Sequence, residues 1–255
     1  MKFVNMVNRL FFPILVLSSF VFRLSSYADT PRIVPTIVDS IPHEQNHFTQ
    51  GLFFDGKDLI ESTGHYGESG IYRRTLDGKI LDSLRLAERY FGEGSVAVGD
   101  DIFYLTWKSR KAFILNRKPF AMKGEFRIPM EGWGLTYWRD ALLMSNGSSE
   151  LLQIGLGGFS VVGAIAVRDN GREVPQLNEL EVVRDTLYAN IWTTGLIAVV
   201  ELPSGRVLKY LDFTEKAMEI NRRFPKADVL NGIAYDGKDF WITGKNWPWI
   251  YKVRF

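Results

Sequence analysis

A carboxylate and a lysine of this chain occupy places where they could transfer protons and stabilise charge. Glu93 lies in the segment 91–94 (FGEG), and Lys245 ends the segment 243–245 (TGK). A carboxyl group in an apolar cavity has a raised pKa unless a cation offsets the effect, and such a group can act as a general acid or base. Lys245 could hold an anionic or carbonyl oxygen. The alternatives are a solvated loop acid or structural salt bridge for Glu93, and a channel-closing ion pair for Lys245.

Tryptophan and amide side chains accompany these two groups at equivalent positions of a sequence repeat. Tryptophan combines a large apolar surface with an N–H donor, which suits a cavity that is half apolar and half polar, although such side chains could also simply fill a channel. Amide side chains offer donors and acceptors to an amide-like ligand. These candidate residues are Trp107, Trp133, Trp192, Gln50 and Asn178.

Other common catalytic chemistries find no support in the sequence. The chain has no cysteine, which removes thiol catalysis, thiolate metal sites and disulfides. The segment 43–47 (HEQNH) formally matches a zinc motif, but that motif requires a helix, whereas Pro42 precedes the segment and a strand entry follows it. No G-x-S-x-G elbow occurs. We therefore predict no catalytic metal and no cofactor for catalysis, and a structural calcium ion stays an open question.

A fourteen-residue repeat provides the elements that must position the candidate residues. It occurs five times without a gap, and the candidates lie either just before a copy or in its last position. Such repeats are typical of a β-propeller, in which equivalent positions come together around a central axis. We therefore expect these residues to converge near one mouth of the channel. The copies are 51–64, 94–107, 134–147, 179–192 and 232–245.

Each copy predicts two strands joined by a tight turn, and a more variable strand pair follows each of the first four copies. We predict an all-β fold, a five-bladed β-propeller with four antiparallel strands per blade; a β-sandwich is the alternative. The extended run 32–40 should join the last blade and close the ring. The one helix-like stretch is 216–223. Glu61 falls on a predicted buried strand and faces either the channel or a structural partner.

Residues 1–28 have the features of a secretory signal peptide, with basic residues before an apolar run at 10–22. A retained membrane anchor is the alternative, although the run is short for a span of about 20 residues. We predict a catalytic domain at 29–255 that is exported to the periplasm or secreted, with no stable membrane insertion after cleavage.

Removing 1–28 reduces the basic residues from 31 to 28 against 29 acidic ones, so nucleic acid is an unsuitable partner. A closed propeller needs no partner subunit, which predicts a monomer.

Read together, the motifs of this chain resemble those of the plant and bacterial glutaminyl cyclases, also called glutamine cyclotransferases. The resemblance covers about residues 41–255, and its joint motif set is specific. The motifs are FTQGL (48–52), FGEG (91–94), LTW (105–107), EGWGL (131–135), LNELE (177–181), ANIW (189–192), LNGIA (230–234) and TGK (243–245).

The resemblance implies a five-bladed propeller that converts an N-terminal glutaminyl residue of peptides or proteins into pyroglutamate and releases ammonia. It implies Glu93 as the essential acid/base. The substrate-binding residues that it implies are Phe48, Gln50, Phe91, Trp107, Trp133, Asn178, Trp192 and Lys245. The substrate would supply its own nucleophile and electrophile, so the reaction needs orientation and proton transfer rather than a metal.

Two other classes of function remain as alternatives. One is a non-catalytic peptide- or sugar-binding propeller of the cell envelope. The other is a glycosidase, which would need a second carboxylate such as Glu61 or Glu179 opposite Glu93.

Overall fold

A computed structural model describes residues 29–255; the predicted signal peptide, 1–28, lies outside the described residues. The described part of the chain consists mainly of β-strands and contains one α-helix, α1 (Thr214–Arg223), which confirms the predicted helix. Between residues 29 and 255, no helix is both long and apolar enough to cross a membrane.

The strands form five sheets, which we number in chain order. Two N-terminal strands, β1 (Arg32–Ile33) and β2 (Thr36–Pro42), come first in the chain and join sheets four and five. Sheet one contains β3 (Thr49–Asp55), β4 (Asp58–Thr63), β5 (Gly70–Arg74) and β6 (Ile80–Arg85). Sheet two contains β7 (Gly92–Val98), β8 (Asp101–Thr106), β9 (Lys111–Arg117) and β10 (Phe120–Arg127). Sheet three contains β11 (Leu135–Trp138), β12 (Ala141–Met144), β13 (Glu150–Gly155) and β14 (Val161–Ala166).

Sheet four has the largest number of strands. It contains β15 (Arg168–Asp169), β16 (Arg172–Glu173), β17 (Leu177–Val183), β18 (Thr186–Ile191), β19 (Leu196–Glu201) and β20 (Arg206–Asp212), with β1 beside β20. Sheet five contains β21 (Leu230–Tyr235), β22 (Phe240–Gly244) and β23 (Trp249–Arg254), with β2 as its outer strand.

The N-terminal run divides between two sheets. β2 pairs antiparallel with β23, the last strand of the chain, whereas β1 pairs parallel with β20 of sheet four. The prediction of one continuous strand at 32–40 in the last blade was therefore wrong for its first residues. Pro35 lies between β1 and β2; proline cannot donate to a strand ladder, so it ends one pairing before the next begins.

Apolar side chains fill the spaces between sheets. Ile60 on β4 packs with Ile102 and Tyr104 of sheet two, while the adjacent Leu59 packs with Trp241 of sheet five. Neighbouring residues on a strand point to opposite faces, so consecutive apolar residues are required where both faces are covered. Comparable clusters lie between sheets two and three, three and four, and four and five.

One end strand of each sheet, which we call its inner strand, lies against the inner strands of two other sheets. β3 contacts β7, β7 contacts β11, β11 contacts β17, β17 contacts β21, and β21 contacts β3. Four of the five sequence repeats start on these strands, and the third starts one residue before β11. The result is an all-β, propeller-like arrangement that gathers equivalent repeat positions around a common centre.

Candidate active site

One cavity of about 290 Å³ brings together every predicted site residue. Its volume is near the lower end of the range for small-molecule sites, about 300 Å³. Apolar and aromatic side chains make most of the wall, and a few polar groups converge within it. The lining residues are Phe48, Gln50, His65, Phe91, Glu93, Trp107, Trp133, Asn178, Trp192, Asp228 and Lys245.

Irregular strand pairing directs several of these side chains into the cavity. The register between the inner strand of a sheet and the strand beside it shifts at Thr49/Gly51, at Gly92/Ser95 and at Leu177/Leu180. These shifts bracket Gln50, Glu93 and Asn178. A bulge leaves a residue unpaired in the ladder and re-aims its side chain, which explains how residues at strand starts point toward one shared space. The sequence repeat locates these positions, but gives no direct sign of the bulges.

Main-chain hydrogen bonds place the last residue of a repeat beside the chain that enters the same sheet. Trp107 N donates to Phe91 O at 3.0 Å, and Lys245 N donates to the carbonyl of Val229 at 2.9 Å. Trp192 N makes the corresponding bond, at 2.8 Å, to the residue three positions before its repeat. The same backbone geometry therefore delivers an aromatic side chain in two sheets and a lysine in the last one.

Glu93 and Lys245 form the polar centre of the cavity. Both are only 4% exposed. Burial raises the pKa of Glu93 well above its ordinary value; Lys245 opposes this shift and Glu131 adds to it. Burial lowers the pKa of Lys245, against the opposing effects of Glu93 and Asp228. No ion pair within 4.0 Å joins Glu93 and Lys245 in the described structure, so each can face a bound molecule.

Aromatic rings in contact with one another build the walls. The ring centroids of Phe91 and Trp107 are 5.5 Å apart, and those of Trp133 and Trp192 are 5.4 Å apart, both in edge-on geometry. Gly64 ends the first repeat because a Cβ there would lie 2.4 Å from the Phe91 ring. Gly64 thus leaves space for an aromatic ring that enters the neighbouring sheet.

A buried amide holds the side chain of Gln50. Asn231, in the equivalent position of the fifth repeat, donates from Nδ2 to Thr49 O at 2.9 Å and to Gln50 Oε1 at 3.3 Å. This contact uses the acceptor of Gln50 and leaves its N–H groups for a ligand. Asn178 is likewise buried and lines the cavity, so two amide side chains can recognise an amide or carbonyl group.

Sequence reasoning missed two lining residues, His65 and Asp228. His65 follows the first repeat, and its ring centroid lies 4.2 Å from that of Phe48. Its φ of 82° is unfavourable for a side-chain-bearing residue, and strain of this kind concentrates at functional sites. Asp228 lies in the long connection after α1, where its N–H donates to Lys245 O at 2.8 Å. Asp228 lies between the fourth and fifth repeats, so the repeat pattern does not predict it as a cavity residue, whereas His65 directly follows the last residue of the first repeat.

The segment 43–47 is not helical, as its sequence context predicts. His43 and His47 instead flank the buried carboxylate of Glu61, with ligand-type atoms within 4.8 Å of one another. These three residues could hold a metal ion, although both oxygens of Glu61 already accept direct hydrogen bonds. Glu61 thus has structural partners and does not line the cavity.

Glu179 also lies outside the cavity lining. Its carboxyl group accepts hydrogen bonds from the main-chain N–H groups of Leu52, at 3.3 Å, and Ile233, at 2.7 Å. Burial raises the pKa of Glu179 well above its ordinary value, and nearby Glu181 adds to the shift. Neither Glu61 nor Glu179 is placed to act as the second carboxylate of a glycosidase.

Fold and site together define a class of protein: a propeller-like β-protein with a buried carboxylate and a lysine in one aromatic cavity. A family model described as glutamine cyclotransferase matches residues 13–255. Glutaminyl-peptide cyclotransferase of Arabidopsis thaliana is 34% identical over 224 residues, covering 86% of this chain and 70% of the relative. The crystal structure of Myxococcus xanthus glutaminyl cyclase superposes with a TM-score of 0.82 at 33% identity, covering 89% of this chain and 98% of that one. The chain belongs to the glutamine cyclotransferase family.

Proposed function

We propose that this chain is a glutaminyl-peptide cyclotransferase that converts N-terminal glutaminyl residues of peptides and proteins into pyroglutamate and ammonia. The observation that carries the proposal is the cavity itself, in which Glu93 and Lys245 are both buried without pairing directly to each other. Family membership supports the same reaction.

Glu93 acts as the acid/base in this reaction. The unprotonated α-amine attacks the γ-amide carbon, the new C–N bond forms, and the carbonyl electrons move to oxygen. The carboxylate of Glu93 takes a proton from the attacking nitrogen and passes it to the amide nitrogen, whose bond to carbon then breaks as ammonia leaves. The raised pKa of Glu93 makes its carboxylate a stronger base than an ordinary glutamate. The carboxylate is regenerated at the end of the cycle.

Lys245 stabilises the negative charge that develops on the amide oxygen. A donor aimed at that oxygen in a water-poor cavity is more effective than in water, because the surroundings screen it less. Asn178 is a second donor for the same oxygen. No metal takes part in the steps, because the substrate supplies the nucleophile and the electrophile, and the protein supplies orientation and proton transfer.

The remaining lining residues hold the glutaminyl side chain in its folded-back conformation. Phe48, Phe91 and the tryptophan walls exclude water, which disfavours hydrolysis of the amide to glutamate. Gln50 offers its amide N–H groups to the substrate main chain. The substrate-binding residues in this assignment are Phe48, Gln50, Phe91, Trp107, Trp133, Asn178 and Trp192.

The five sheets are, in this proposal, the blades of a closed five-bladed propeller. Support comes from the pairing of β2 with β23 and from the inner-strand contacts, which return from β21 to β3. The features of residues 1–28 support export of the chain, and the molecule functions as a monomer without a catalytic cofactor.

An ammonia-release assay tests the proposal. A peptide with a free N-terminal Gln should lose one ammonia, seen both in a coupled assay and as a matching mass decrease. The same peptide with an acetylated N-terminus should release none, because its amine cannot attack. Ammonia from the acetylated peptide would indicate a hydrolytic amidase. Binding of the free peptide without ammonia release would favour the alternative, a non-catalytic binding propeller.

A further inference from the structure

A buried polar cluster that the proposed mechanism does not use lies behind the cavity. We call Glu61, His43, His47 and Thr49 the Glu61 cluster. Glu61 Oε1 lies 2.8 Å from His43 Nε2 and accepts from Thr49 Oγ1 at 2.7 Å, while Oε2 lies 2.9 Å from His47 Nδ1. All four residues are buried, and none of them lines the cavity.

The cluster is charged. Burial alone would raise the pKa of Glu61, but His43 and His47 outweigh it and bring that pKa well below the ordinary value. Burial alone would lower the pKa of His47, yet Glu61 raises it. A buried charge with partners on both oxygens holds those partners in narrowly defined positions, because losing one contact leaves the charge uncompensated.

The cluster ties the N-terminal entry of sheet one to the chain that follows β22. His43 N donates to Pro248 O at 3.0 Å, and His43 Nδ1 donates to the carbonyl of Trp247 at 2.6 Å. Asn246 N donates to His47 O at 2.8 Å. Two segments that are about 200 residues apart in sequence are therefore fixed to each other around one carboxylate.

Three cavity residues are covalent neighbours of the groups held in this way. Phe48 follows His47, Gln50 follows the threonine of the cluster, and Lys245 precedes Asn246. Lys245 Nζ lies 4.6 Å from the Phe48 ring centroid, so the two segments meet inside the cavity. The Glu61 cluster is thus linked to the main chain of Lys245 through the hydrogen bond from Asn246 N to His47 O and one peptide bond.

We infer that Glu61, His43 and His47 are positioning residues that set Lys245, Phe48 and Gln50 relative to Glu93. The inference rests on the proposed function where the readout is catalysis, but the geometry it asserts can be measured without activity. A shift of about 1 Å in a positioned group can lower a rate by about a hundredfold, so small displacements of Lys245 should be visible in turnover.

The test compares variants that keep the shape of the site. Glu61→Gln removes the charge without changing side-chain volume, and kcat for the N-terminal Gln peptide should fall about tenfold or more. His47→Ala should lower kcat similarly, whereas His47→Asn, which places an amide donor where His47 has Nδ1, should restore most of it. In a Lys245→Met background, Glu61→Gln should lower kcat by a smaller factor, because the part of its effect that passes through Lys245 is already lost.

Asp58→Asn provides the matched control. Asp58 is buried on the same strand as Glu61 and pairs with Arg73 at 3.3 Å, but it lies at the other end of β4. This variant should lower the melting temperature and leave kcat unchanged. If Asp58→Asn and Glu61→Gln reduce kcat equally at equal loss of stability, the cluster is merely structural and the inference is overturned.

Amide hydrogen exchange keeps this test separate from the proposed function. Glu61→Gln should speed exchange at residues 48–50 and 245–247, and Asp58→Asn should not, whether or not the wild type releases ammonia. Unchanged exchange in Glu61→Gln would overturn the inference. So would a zinc titration in which the wild type binds one Zn²⁺ and His47→Ala binds none, because the cluster would then be a metal site. An inactive wild type with the expected exchange pattern would refute only the proposed function.

Discussion

Replacing Glu93 by glutamine isolates proton transfer from every other contribution of the site. No side-chain hydrogen bond of Glu93 is present among residues 29–255, so the substitution removes none and preserves the volume of the buried side chain. The amide cannot take a proton from the attacking amine. General acid/base groups contribute at least about a hundredfold, so kcat should fall by that factor or more, which corresponds to about 2.7 kcal/mol of barrier.

The assay is steady-state ammonia release from a peptide with N-terminal Gln, with kcat and KM determined separately. KM should change by less than about threefold, because the aromatic walls and amide donors remain in place. Turnover within about threefold of the wild type would remove Glu93 from the mechanism. A large rise in KM with unchanged kcat would instead make it a binding residue.

The same variant should be more stable than the wild type at neutral pH. Glu93 has a folded-state pKa raised above its ordinary value of 4.5, so its contribution to stability is fully present below that pH and is lost as pH rises toward the folded value. Glutamine has no such loss. The difference in melting temperature between Glu93→Gln and wild type should therefore grow as pH rises from about 4.5. A constant difference would contradict the burial that underlies the proposed acid/base role.

Three further predictions follow from other contacts. Lys245→Met should lower kcat by about a hundredfold or more through loss of oxyanion stabilisation, and unchanged kcat would contradict that role. Gly64→Ala places a Cβ 2.4 Å from the Phe91 ring, so it should raise KM and lower the free energy of unfolding in urea by about 1–3 kcal/mol. An unchanged KM would show that the Phe91 ring moves aside without affecting substrate binding. Burial raises the pKa of Glu181 from 4.5 to about 8, against a hydrogen bond from Tyr235 N–H, so the wild type should lose stability relative to Glu181→Gln between those pH values. A difference in melting temperature between the two proteins that stays constant across that range would contradict this prediction.

The repeat made much of the cavity predictable. Gln50, Glu93, Asn178 and the others share two positions relative to the repeat, and equivalent strand ends converge in a propeller. Phe48 and Phe91 came only from the family resemblance, because they lie three residues before their repeats and look like ordinary core residues. The strand pairs and the helix were likewise accessible from turn residues and apolar runs.

What the sequence could not predict depends on contacts between distant segments. Asp228 reaches the cavity through a main-chain bond to Lys245, and His65 through a backbone conformation that its residue type disfavours. His43 and His47 are separated from Glu61 by other segments of the chain, so the sequence predicted a buried charge at Glu61 but did not identify its partners. Pro35, in contrast, carried a readable signal, since a residue without an N–H divides the N-terminal run.

The cavity shows how a repeated fold produces an asymmetric candidate site. Bulges at equivalent strand starts create the same opening toward the centre several times, and only the side chains placed there differ. Glu93 and Lys245 are costly to bury, because desolvation shifts both pKa values toward the neutral forms. Apolar clusters on both faces of the inner strands offset that cost and limit the movement of the strand ends. A reaction that needs orientation and the transfer of one proton, rather than a strong nucleophile, suits a site in which packing limits the movement of the strand ends.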